Sequence, residues 1–157
     1  MSKYKPSSIN ELKELVKDES INLGEIETSL IRDMSKLFSY PYLRKDWSGI
    51  ESWDVSNVED MSGMFMCLET TLDLSKWDTS NVVDMSNMFA YSKFNGDISH
   101  WNISRVRDMS FIFFKSTFNQ DISRWNLSNV VFKDRVLLGS CIKEEFKPLI
   151  NIIKEYE

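Results

Sequence analysis

The chain has 157 residues, 42% of them apolar, and a formal net charge of −5 at neutral pH. That length suits one domain with a real core. The modest negative charge has the wrong sign for a nucleic-acid binder and is too small on its own to suggest a nucleic-acid mimic, and no apolar run approaches the ~20 residues needed to cross a membrane.

The N-terminal stretch, Met1 to Lys17, has no uninterrupted apolar segment of the kind that opens an export signal. A cytoplasmic location is therefore expected, with surface exposure only if a signal has been removed. Two cysteines, Cys67 and Cys141, stand far apart in sequence and suit reduced thiols. Ser8-Ile-Asn-Glu11 has the form of a capping box, and Ile9, Leu12, Leu15 and Val16 recur at helical spacing, so a short amphipathic helix is expected over 9–17.

Beyond residue 22 a repeat takes over. Trp53, Trp77, Trp101 and Trp125 are each 24 residues apart. The phrase around the second reads Leu74-Ser-Lys-Trp-Asp-Thr-Ser-Asn-Val-Val-Asp-Met-Ser-Asn-Met-Phe89, and close copies start at Ile50 and Ile98. A decayed copy starts at Ile122, and another, with Ile26 in place of tryptophan, at Leu23. The steps between copies are 27, 24, 24 and 24, and the extra residues fall in a loop around Pro41. Trp77 and Thr79 alternate with Lys76, Asp78 and Ser80, which is strand periodicity; Met85, Met88 and Phe89 recur at helical spacing. One coil cannot bury its apolar face alone, so stacked coils are expected. The chain is read as one domain, with an N-terminal cap over 1–22, repeats over 23–143 and a C-terminal helical cap over 144–157, where Phe146, Leu149, Ile150, Ile153 and Tyr156 would form an apolar face.

The phrase W-D-x-S-N-V-x-D-M-S-x-M-F, followed by F-N-x-D-I-S, resembles the BspA-type leucine-rich repeats of bacterial proteins over about residues 23–131. The resemblance implies a right-handed solenoid with a parallel sheet on its concave side; together with the residue pattern, the expected fold is an α/β solenoid, a leucine-rich-repeat stack of about five coils with a helical cap at each end. It also implies a protein-binding role, since many members are surface proteins that bind other proteins, and it carries no catalytic motif.

The residues point the same way. The only histidine is His100, and neither a phosphate-cradling glycine loop nor a G-x-S-x-G motif is present, so no catalytic residue, metal or cofactor is expected. If tryptophan points inward, its neighbours point outward. The row before it holds Ser52, Lys76, His100 and Arg124; the row after it holds Asp54, Asp78, Asn102 and Asn126. These vary while the core positions stay constant, as in a binding scaffold. A second candidate surface is the loop bearing Tyr40, Tyr42, Arg44 and Trp47, residue types enriched at binding hot spots. The expected function is non-enzymatic binding of another protein through the concave face, as an intracellular inhibitor, immunity or adaptor factor. The alternatives are a short surface adhesin and, more weakly, an acidic mimic that blocks a nucleic-acid-binding protein.

Overall fold

The computed structural model describes residues 3–39 and 44–148. Helix α1 spans Ile9–Lys17. Ser8 starts it: its backbone is extended and its hydroxyl accepts from the Glu11 N–H at 3.3 Å. Glu11 does not reach back to Ser8, as a capping box would have it, but accepts from the Ser7 N–H at 2.7 Å. Leu12 and Val16, one turn apart, are buried against the first coil.

The expected parallel sheet does not form. Among the described residues there is no strand and no sheet, and an α/β solenoid is not what this chain builds. Successive coils instead meet at isolated parallel bridges: Asp33 to Asp60, Asp60 to Asp84, Asp84 to Asp108, and Asp108 to Phe132. The reason lies in the D/N-x-S phrases, which turn the chain three times per coil. In the coil from Leu74, carboxylate oxygens of Asp78, Asp84 and Asp97 accept the N–H two residues on, from Ser80, Ser86 and Ser99, at 3.0, 2.8 and 2.9 Å. Such Asx turns compete with extended pairing, and the stretch left between corners is too short for a ladder.

The helical turn expected around Met85, Met88 and Phe89 is also replaced. Met88, Ala90 and Ser92 donate to the carbonyls three residues back, of Met85, Asn87 and Phe89, making a run of tight turns. Asn87 and Tyr91 sit in the left-handed region at φ +58°, and the same two columns hold Gly63, Cys67, Phe111, Lys115, Arg135 and Gly139 in that conformation. This zigzag sends alternate N–H groups toward the next coil. Met85, Asn87, Phe89 and Tyr91 donate to Asp108, Ser110, Ile112 and Phe114 at 2.8–2.9 Å. Their neighbours' N–H groups are taken up by Asx oxygens and by turns. Backbone polar groups in this run are thus satisfied without a sheet.

The core lies between coils. Phe38, Phe65, Phe89 and Phe113 stack with ring centroids 5.6–5.8 Å apart and planes within 8°. Met34, Met61, Met85 and Met109 are fully buried beside them. Each tryptophan is a clamp as well as filler. Nε1–H of Trp53, Trp77, Trp101 and Trp125 donates to the first carbonyl of the coil before, at Leu23, Ile50, Leu74 and Ile98, over 2.9–3.3 Å. The first coil has no coil before it to offer such an acceptor, and Ile26 fills that column as a purely apolar residue.

At the end of the step that lengthens to 27 residues, Gly49 crosses close over Gly24 of the first coil. Gly49 has φ +91°, and a Cβ there would lie 2.1 Å from the Gly24 nitrogen, so this crossing admits only glycine. Arg44 holds the same crossing from inside. At the other end, the part of the expected C-terminal helix that is described is only a single 3-10 turn, Glu144–Phe146. Leu149 to Glu157 lie outside the described residues.

Candidate partner-binding surface

Each buried tryptophan leaves an exposed residue on either side of it. Ser52, Lys76, His100 and Arg124 are all exposed, and so are Asp54, Asp78, Asn102 and Asn126. The two rows differ in what their side chains do.

The row after tryptophan is tied to its own backbone. Asp54, Asp78, Asn102 and Asn126 each accept the N–H of the serine two residues on at 3.0 Å. Carboxylate and amide serve equally here, because the bond uses only the Oδ1 acceptor. The serine hydroxyl and N–H hold the Asp78 carboxyl below the usual carboxylate range. The same pair of serine donors depresses Asp73 and Asp121, and, with the N–H leading, Asp97.

A carboxyl depressed in the folded state binds its proton more readily once unfolded. Its contribution is therefore present above the ordinary carboxylate value near 4 and lost as pH falls through the lower folded value. Asp78→Asn is expected to melt within about 2 °C of the wild type at pH 7, since Asn102 and Asn126 make the same bond, and to lose less stability than the wild type between about pH 4 and pH 2. Thermal melts by circular dichroism across that range check this. A destabilisation at pH 7 equal to that of Asp78→Ala would contradict it.

In the row before tryptophan only Ser52 has such a tie. Ser52 Oγ donates to the Gly49 carbonyl at 2.6 Å. Lys76, His100 and Arg124 make no hydrogen bond or ion pair with any described residue. They stand beside Asp73, Asp97 and Asp121 and contribute to lowering those carboxyls, after the serine donors. The result is a strip of three cationic or protonatable side chains, one per coil, flanked by a strip of carboxylates already committed to turns.

The second candidate surface separates into parts. Tyr40 and Tyr42 lie outside the described residues. Trp47 is half-buried, with its ring 4.9 Å edge-on to Phe38. Arg44 is only 6% exposed: its guanidinium donates to the carbonyls of Val16, Asp18, Ile21 and Asp46. These two side chains bind α1 and the first two coils to one another. Beside them a recess of about 160 Å³ is lined by Lys45, Cys67, Glu69 and Thr70 among others. Burial and Glu69 push the Cys67 thiol up. Among the described residues no group of three His, Cys, Asp or Glu could hold a metal ion, and no helix is long and apolar enough to cross a membrane.

The sequence matches the family described as "Mycoplasma protein of unknown function, DUF285" over residues 7–70 and again over 67–142. Searches of curated proteins and of solved structures find no match. The family matched is not a leucine-rich-repeat family, so the resemblance to BspA-type repeats falls together with the sheet it implied. The two matches run through α1, the period break and all of the coils, and the chain belongs to the DUF285 family.

Proposed function

We propose that the chain works by binding another protein along the strip formed by Ser52, Lys76, His100 and Arg124. The observation that carries this reading is the contrast between neighbouring rows. The row after tryptophan is spent on backbone turns, whereas Lys76, His100 and Arg124 project from successive coils and make no hydrogen bond or ion pair with any described residue. Holding two long cationic side chains and an imidazole at regular spacing on a packed frame lowers the ordering cost of meeting a partner. The partner surface that fits is a protein face with a line of carboxylates or carbonyl acceptors.

Capture from a cell lysate on immobilised wild type and on the Lys76→Glu/Arg124→Glu variant tests this. Proteins retained by the wild type and lost from the variant are expected. Identical proteins on both, or none specific to the wild type, would reject the strip as the binding surface. Both substitutions are at exposed positions, so the variant is expected to keep the wild-type melting temperature within about 2 °C.

A further inference from the structure

Within the zigzag run the cross-coil hydrogen bonds all point to the next coil, while the residues just before it, such as Val83 and Asp84, donate back to the coil before; the zigzag therefore makes the two ends of the stack unlike. At each joint, N–H groups of one coil donate to carbonyls of the next: Met61, Gly63, Phe65 and Cys67 to Asp84, Ser86, Met88 and Ala90, and so on through Met109, Phe111, Phe113 and Lys115. The last coil has the same zigzag, with Arg135 and Gly139 left-handed, but no coil follows it. Its corresponding N–H groups, on Lys133, Arg135, Leu137 and Gly139, find no acceptor among the described residues. The first coil is the mirror case. The carbonyls of Asp33, Ser35 and Leu37 receive no donor among the described residues. Apolar side chains accompany both edges: Leu30 is 63% exposed at the first, and Val131 and Phe132 are 61% and 60% exposed at the second. Among the described residues the remaining exposed large apolar side chain is Tyr91, 50% exposed, on an inner coil.

We propose that these edges are the two halves of one interface, through which a second copy of the chain docks head to tail. Four donors at two-residue spacing face three acceptors at the same spacing, the pairing every inner joint already uses. Charge favours the same orientation. Residues 98–147 carry eight lysines and arginines against five acidic residues, and residues 23–73 carry four against ten. Helix α1 covers the apolar end of the first coil but leaves Arg32, Asp33 and Lys36 exposed. The core cannot be continued across the joint, and contact is confined to the paired edges with Leu30 against Val131 and Phe132. Such a contact is small, and the association is weak and concentration-dependent. Being heterologous, it forms chains rather than closed dimers.

Sedimentation velocity of the full chain from about 10 μM to about 1 mM tests the proposal. The wild type is expected to shift steadily to larger species. Leu30→Lys blocks one edge and Phe132→Lys the other, so each variant alone is expected to stay monomeric, while their equimolar mixture forms a dimer and nothing larger. Both sites are exposed, and unchanged circular dichroism melts establish that the variants fold. A wild type that stays monomeric to about 1 mM, a single variant that associates as the wild type does, or a mixture that forms no dimer overturns the proposal.

Discussion

Trp101→Ala lowers the unfolding free energy by about 3–5 kcal/mol, whereas Trp101→Phe costs about 1–2 kcal/mol. The difference separates the two duties of the residue. Alanine removes a side chain that is 4% exposed and tilted against Phe89 at 6.1 Å, leaving a cavity between two coils. Phenylalanine keeps most of that volume but loses the 3.0 Å bond from Nε1–H to the Leu74 carbonyl. That carbonyl still accepts the Trp77 N–H at 3.2 Å, so the loss is one hydrogen bond and not an orphaned group. Urea titrations of both variants measure this. Equal losses for alanine and phenylalanine would mean the hydrogen bond, and not the packing, holds the joint. The alanine variant is also expected to show a lower denaturant slope, because a stack is stabilised by neighbours and a failed middle joint lets its two ends melt separately.

The period, the inward tryptophans and the exposed residues beside them are legible from the sequence, because burial of a constant aromatic against variable polar neighbours leaves a plain pattern. What fills the space between them is not. Alternation of Trp77 and Thr79 with Lys76, Asp78 and Ser80 suggests a strand, but each alternating stretch is closed within a few residues by an Asx turn. The D/N-x-S phrase, repeated three times per coil, was the available signal for those corners. The left-handed columns are harder to see. Gly63, Asn87 and Gly139 hint at them, yet Phe111, Tyr91 and Lys115 occupy the same columns at φ +51° to +61°. Tolerance of side chains there comes from the cross-coil hydrogen bonds, which are non-local. For the binding strip, sequence periodicity places both rows on the surface, and only the hydrogen bonds distinguish the row consumed by turns from the row left free.

Arg44→Met is expected to cost about 3–5 kcal/mol, a fall in melting temperature on the order of 10 °C, with Arg44→Lys losing about half as much. Sequence reasoning places this residue on a loop rich in binding-type side chains; the structure buries it. Nothing in the local sequence marks an arginine as interior, because its partners are backbone carbonyls remote in the chain: Val16 and Asp18 at the end of α1, and Ile21 just before the first coil. The charge is tolerated inside because it faces the carbonyl end of a helix and a ring of aligned acceptors. Asp18 and Asp46 lie nearby; each carboxyl is lowered chiefly by its own serine and slightly by this guanidinium. Methionine fills similar volume but strands those carbonyls. Lysine keeps the charge, but one ammonium cannot reach the Val16, Ile21 and Asp46 oxygens together as the planar fork does. Hydrogen exchange gives the more specific readout. Amides of α1 are expected to lose protection in Arg44→Met while those of Phe89 and Phe113, deep in the stack, keep it. Loss of protection spread evenly over the chain, or a melting point within about 2 °C of the wild type, would show that the helix is held by Leu12 and Val16 alone.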